Sequence, residues 1–121
     1  MTSPIQVHTL DSAPEAARET LALIRADLGF VPNLLGVFAN APALLDGYVV
    51  LSSLFDTTSL TPTERQIVLL AVSFENRCEY CMAAHTVSAG MKRVSGDIVL
   101  ALREGERLAD VKLEALRRFT V

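Results

Sequence analysis

The chain has 121 residues, of which 50% are hydrophobic and 21% are charged, a balance typical of one globular domain with a buried core. The net charge of −3 and the absence of a Lys/Arg cluster argue against nucleic acid as a partner. No apolar run approaches the roughly 20 residues of a membrane span, and the first residues lack the basic start and apolar core of a signal peptide, so we expect a cytoplasmic protein that does not enter a membrane.

Helical periodicity recurs along the chain and period-two alternation does not, which predicts an all-α fold of about five or six helices. Residues 1–12 are predicted to form an extended lead-in, and residues 13–121 a single helical domain. The helical segments, in chain order, are expected near residues 12–28, a short piece at 34–39, then 41–56, 62–76, 78–90, 95–104 and 110–121.

Several of these segments carry start and stop signals. Thr61-Pro62-Thr63-Glu64 is a capping box with proline at the first helical position, and Asp110 is a candidate cap for the last helix. Gly29, Gly90 and Gly105 are expected to end helices, and Ser12 and Ser95 to begin them.

Two helices are unusually apolar. The helix near 62–76 contains the unbroken apolar run 67–72, so we expect it to lie centrally in the core or at an interface. In the helix near 41–56 the residues expected to face inward are Leu45, Tyr48, Val49 and Phe55. The mean hydropathy of +0.34 is high for so short a chain and favours a homo-oligomer.

The two cysteines of the chain, Cys78 and Cys81, are three residues apart, and His85 follows four residues later. On a helix these positions share one face. A thiolate is the reactive form of cysteine, and three features favour it here: a helix start at Cys78, an imidazole one turn beyond Cys81, and a second thiol close enough to form a disulfide. In a reducing cytosol the pattern indicates a redox dithiol with a proton acceptor beside it.

Two other interpretations of this motif stay open. The cysteines can be ordinary core residues, or they can be part of a zinc site whose missing ligand comes from His8 or from a neighbouring subunit. Tyr80, between the cysteines, is expected to pack against the core, and the alternative is that its hydroxyl donates a hydrogen bond.

With these residues in hand, the chain resembles the alkylhydroperoxidase D-like branch of the carboxymuconolactone decarboxylase superfamily. The resemblance is strongest over LTPTERQIVLLAVSFENRCEYCMAAHT, residues 60–86, and extends through most of the chain after residue 10. It implies an all-helical protein that assembles as a homo-oligomer, commonly a trimer or hexamer.

The resemblance also implies an activity. Redox members of the family reduce hydroperoxides with a disulfide-forming cysteine pair, which a dithiol reductant protein of lipoyl or thioredoxin type regenerates, with no bound metal or cofactor. By motif, Cys81 would attack the peroxide, Cys78 would resolve the sulfenic acid and meet the reductant, and His85 would relay the proton. The helix start alone would instead make Cys78 the more acidic thiol.

Two positions depart from the pattern of the family. Twelve residues before the first cysteine the family carries a glutamate, and here the residue is Gln66, whose amide cannot exchange a proton. Relatives can carry histidine immediately before the second cysteine, where this chain has Tyr80, so Gln66 and Tyr80 are the candidates to support the relay. We therefore expect a thiol-dependent hydroperoxide reductase with a weakened relay. A lactone decarboxylase of the namesake type and a non-catalytic redox-sensing or zinc-holding module are the alternatives.

Overall fold

The computed structural model describes residues 4–121, and within them every regular element is a helix. There are seven such helices, which confirms the all-α class; the count exceeds the five or six expected because the short piece is a helix in its own right. Their bounds, in chain order, are α1 (Glu15–Leu28), α2 (Asn33–Phe38), α3 (Pro42–Asp56), α4 (Pro62–Glu75), α5 (Glu79–Met91), α6 (Gly96–Glu104) and α7 (Val111–Thr120).

Most of the predicted helix ends are confirmed, and two need correction. The Thr61 hydroxyl accepts the Glu64 N–H and the Glu64 carboxylate accepts the Thr61 N–H, which completes the capping box. Ser12 does not cap α1, because its hydroxyl accepts the Thr9 N–H and Pro14 precedes the helix. Helix α5 passes through Gly90 and ends at Met91. Ser95 occupies the N-cap of α6 as predicted, although its side chain makes no capping hydrogen bond.

Contacts between residues divide the chain into two compact units, Met1–Phe55 and Asp56–Val121. In the first unit, α1 buries Ala17, Leu21 and Ile24. These side chains share a core with Ala13, Leu35, Ala39 and Leu45. The prediction of one domain over residues 13–121 stays a prediction.

Helix α3 contributes little to that core. Of its 15 residues only Leu45 is fully buried. Val49 packs against the core as predicted and Phe55 is partly buried, whereas Tyr48, also predicted to face inward, is 36% exposed. The Tyr48 ring stays partly exposed and meets the Phe38 ring edge-on, with 5.4 Å between the ring centres. Fewer side chains of α3 are therefore buried within the chain than its sequence pattern predicts.

In the second unit α4 is the central element, and it contacts each of α5, α6 and α7. It buries residues on several sides, as its apolar run predicts. Ile67 and Leu70 are fully buried in a core completed by Ala71, Ala89, Val94, Leu102 and Leu108. The polar residues Glu64, Gln66 and Ser73 are buried on the same helix. No helix in the described part of the chain has the length and hydropathy needed to cross a bilayer.

Candidate functional site

Cys78 and Cys81 lie at the beginning of α5 and are joined by a disulfide. The two sulfurs are 2.06 Å apart, and the two Cα atoms are 5.2 Å apart. This confirms that the spacing lets the sulfurs join. Both side chains are partly buried, so the bond is neither sealed in the core nor fully exposed. Redox activity of the pair stays a prediction.

A tight turn between α4 and α5 presents the first cysteine. The Cys78 N–H donates to the Ser73 carbonyl and the Arg77 N–H donates to the Phe74 carbonyl, each at 3.0 Å. These bonds satisfy carbonyl groups in the last turn of α4 that have no hydrogen-bond partner within the helix. Arg77 takes a left-handed conformation with φ of 53°, a position that usually carries glycine. The chain therefore reverses within three residues, and α5 begins directly after Cys78.

Cys78 is the N-cap residue of α5, as the sequence predicts. Its backbone is extended, and its sulfur accepts the Cys81 N–H at 3.2 Å. The first N–H groups of a helix lack partners within the helix and favour negative charge nearby. When the disulfide is reduced, this position stabilises a thiolate on Cys78.

His85 lies one turn beyond Cys81 on α5, at the spacing that makes two helical side chains neighbours. The ring is partly buried, and this burial lowers the pKa of His85 below its ordinary value of 6.5. The imidazole is therefore neutral at physiological pH, the form that can accept a proton from a thiol. Among residues 4–121 the ring forms no hydrogen bond.

Gln66 lies on α4 with only 5% of its surface exposed. Its Nε2 donates to the hydroxyl of Ser88 on α5 at 3.3 Å, whereas its Oε1 is buried and has no hydrogen-bond partner within the described residues. Ser88 follows His85 by three residues, so it occupies the same side of α5. The structure therefore brings Gln66 to the helix face that carries the histidine.

Tyr80 is 46% exposed, so the expectation that it packs against the core is wrong. The N-cap position of Cys78 explains this outcome. It places Tyr80 on the outer side of the first turn of α5, while Met82 turns toward the core.

An open cleft of about 560 Å³ adjoins Cys78. Apolar side chains of α4 and α5 line part of it, and charges of both signs surround them. The lining residues are Ser73, Phe74, Glu75, Arg77, Cys78, Glu79, Met82, Ala83 and Arg103. Sequence reasoning missed Phe74 and Arg103. No local signal brings α6 to the cysteines, although the Arg103 guanidinium donates to the Thr86 hydroxyl of α5 at 2.7 Å.

The zinc interpretation depends on further ligands. His8, the candidate in this chain, has both ring nitrogens engaged within the first unit, one with the Ser12 hydroxyl and one with Asn40 Oδ1, each at 3.2 Å. In the described part of the chain, no three side chains of His, Cys, Asp or Glu form a cluster suited to a metal ion.

A model of the carboxymuconolactone decarboxylase family matches residues 38–114, which is more than half of the chain and includes every predicted site residue. A search of curated proteins finds no match.

Proposed function

The chain belongs to the carboxymuconolactone decarboxylase family, and we propose that within it the chain is a thiol-dependent hydroperoxide reductase of the alkylhydroperoxidase D-like branch. The observation that carries this proposal is the Cys78–Cys81 disulfide at the start of α5. The disulfide is the oxidised end of the proposed cycle, and the cleft gives a reductant access to Cys78.

The oxidative half of the cycle transfers two electrons from the two thiols to the peroxide. The Cys81 thiolate attacks one peroxide oxygen, so that an S–O bond forms, the O–O bond breaks, and the alcohol leaves with a proton. The Cys78 thiolate then attacks the Cys81 sulfenic acid, the disulfide forms, and water leaves. His85, neutral and one turn from Cys81, accepts the thiol proton and returns it to the leaving oxygen.

The reductive half restores both thiols. A thiolate of the dithiol reductant, of lipoyl or thioredoxin type, attacks the disulfide at Cys78, and its second thiol then resolves the mixed disulfide. The position of Cys78 at the cleft supports this assignment, because the attacking sulfur needs an open approach. Such a cycle needs reducing surroundings, which agrees with a cytoplasmic location.

The N-cap position leaves a competing assignment, in which Cys78, as the better stabilised thiolate, is the attacking thiol. Single serine variants separate the two. If Cys81 attacks, Cys78→Ser traps a sulfenic acid on Cys81 that a sulfenic-acid reagent labels, and Cys81→Ser gives no label. The reverse pattern would transfer the attacking role to Cys78.

Steady-state reduction of an organic hydroperoxide tests the function itself, with dihydrolipoyl-type and thioredoxin-type reductants supplied in turn. Each cysteine-to-serine variant should lose turnover, because the cycle needs both sulfurs. Ser95→Ala, which removes a hydroxyl with no side-chain cap bond, should match the unmodified protein. Full activity in both cysteine variants would refute the dithiol mechanism.

The description of the matched family favours one second candidate, lactone decarboxylation. This reaction needs no cysteine pair. Release of CO₂ from a carboxymuconolactone, with a proton taking the place of the carboxylate, would support it over the peroxide reaction if it survives replacement of both cysteines.

We also propose that the chain assembles as a homo-oligomer through the exposed side of α3, with a trimer or hexamer as the expected size. Leu44, Val50 and Leu51 are each more than half exposed, although α3 carries only two charged residues, Asp46 and Asp56. An apolar helix face of this kind is costly in water, and a second copy offers a surface of the same uncharged character.

A further inference from the structure

We propose that Ser88 is a positioning residue of the thiol site: through Gln66 it fixes which nitrogen of His85 carries the proton. The inference rests on the proposed function, since His85 serves there as the proton acceptor. It adds a residue that the sequence motif does not contain.

The hydrogen bond to Ser88 sets the orientation of the Gln66 amide. A glutamine amide has a donor end and an acceptor end, and the two ends can exchange places by rotation. Here Nε2 donates to the Ser88 hydroxyl, so the hydrogen bond to Ser88 holds the donor end in place. Oε1 must then point to the remaining buried side of the amide.

The acceptor end of the Gln66 amide has no donor. This oxygen is buried without a partner among the described residues, and a buried acceptor without a donor is costly. The His85 ring is one turn from Ser88 on the same side of α5, and it also lacks a hydrogen bond there. Because burial keeps this ring neutral, it has one N–H to donate and one nitrogen that accepts.

The two groups are complementary, because Gln66 Oε1 needs a donor and the His85 ring has an N–H that no described residue accepts. The His85 N–H can supply Gln66 Oε1, either directly or through one water molecule. With that nitrogen protonated, the other ring nitrogen presents its lone pair to the cysteine pair, which is the orientation a proton acceptor needs. A glutamate at position 66 would favour a charged imidazolium, whereas Gln66 held by Ser88 favours one neutral tautomer.

Ring nitrogen shifts of His85 test the inference without any turnover. The chain contains two histidines, so ¹⁵N-histidine labelling gives two patterns, and His8→Gln identifies the one from His85. Spectra are recorded on the reduced protein at a pH where the ring is neutral. We expect one dominant tautomer in the unmodified protein and a tautomer ratio shifted about fivefold toward an even mixture in Ser88→Ala, as the loss of one hydrogen bond implies.

Two further variants keep the test decisive. Ser88→Thr retains the hydroxyl and should preserve the tautomer, whereas Gln66→Leu removes the amide and should give the same mixture as Ser88→Ala. Ser95→Ala is the matched control, and an unchanged helical circular dichroism signal and unfolding midpoint show that each variant is folded. An unaltered His85 tautomer in both Ser88→Ala and Gln66→Leu would overturn the inference.

The outcome is distinguishable from failure of the proposed function. If the protein consumes no hydroperoxide, the tautomer measurement still decides whether Ser88 positions His85. If the function holds, Ser88→Ala should lower kcat for peroxide reduction about fivefold with little change in KM, and Ser88→Thr should restore it.

Discussion

Helices α3 and α4 are both rich in apolar residues, but they have opposite surroundings. Helix α4 is covered by three neighbouring helices and buries six of its residues, whereas α3 buries one. Apolar composition alone therefore does not identify the core helix of this chain. What distinguishes α4 is that it also buries polar side chains, which require partners placed by the fold. Exposed apolar residues on α3 require a partner of another kind, for which we propose a second copy.

The largest expected effect of a single substitution comes from the core side chains of α4. Leu70→Ala removes a fully buried side chain and should lower the free energy of unfolding by about 2–5 kcal/mol, because the cavity cannot close completely. Denaturant unfolding measures this loss. Leu51→Ala on α3 is the comparison, since Leu51 is 67% exposed, and an equal loss there would remove the contrast between the helices.

The next effect compares two helix ends. Gly29 ends α1 and Gly105 ends α6, with φ of 85° and 70°, so alanine is strained at both. A Cβ at Gly29 would meet nothing within 4 Å, whereas a Cβ at Gly105 would lie 2.3 Å from the Phe74 ring.

We therefore expect Gly29→Ala to cost about 1 kcal/mol. Gly105→Ala should cost about 2–3 kcal/mol, because Phe74 must also move aside. Thermal unfolding of the two variants measures the difference. An equal loss of unfolding free energy in the two variants would contradict this expectation, because it would mean that the exposed Phe74 ring moves aside at no energetic cost.

A pH-dependent effect should come from α7. The Arg117 guanidinium and the Leu108 N–H bind the Glu114 carboxylate and lower the pKa of Glu114 from 4.5 to about 2. The ionised form is the one favoured in the folded chain. Its contribution to stability is therefore present above pH 4.5 and is lost as pH falls toward 2.

Denaturant midpoints measured between pH 7 and pH 2 test this effect. Glu114→Gln should be less stable than the unmodified protein at pH 7. The difference in stability between the two proteins should shrink as the pH falls from 4.5 toward 2. The control is Glu104→Gln, which alters an exposed glutamate of α6. A difference that stays constant from pH 7 to pH 2 would contradict the assignment.

The smallest effect on the fold itself is expected on α3. Leu51→Asp should keep the helical circular dichroism signal, because this side chain contributes little to the core of its own chain. Light scattering after gel filtration should show the molar mass falling from a multiple of 13.1 kDa to that of one chain. Loss of helical signal, or an unmodified protein that is already a single chain, would refute the α3 interface.

Local signals made most of the fold predictable. The Thr61–Glu64 capping box, the Asp110 cap and Gly29 act within one helical turn, so the sequence alone locates those helix ends. The cysteine spacing and the helix start at Cys78 are local in the same sense. Together they are enough to predict that the two sulfurs can join at the beginning of α5, as they do.

The features of the site that could not be predicted from the sequence depend on contacts between residues far apart in the chain. Arg103 lies near Cys78 only because α6 packs beside α5, and Ser88 reaches Gln66 only because α4 and α5 pair side by side. The exposure of Tyr48 was misjudged because its helical periodicity is the same whether a side chain meets its own core or another chain.

The most direct test of the account is a thiol count on the fully reduced protein before and after one equivalent of an organic hydroperoxide. We expect two thiols to fall to none, with one alcohol formed per chain and the mass of the protein lowered by two hydrogens. Unreacted peroxide with both thiols still present would contradict the central role of Cys78 and Cys81.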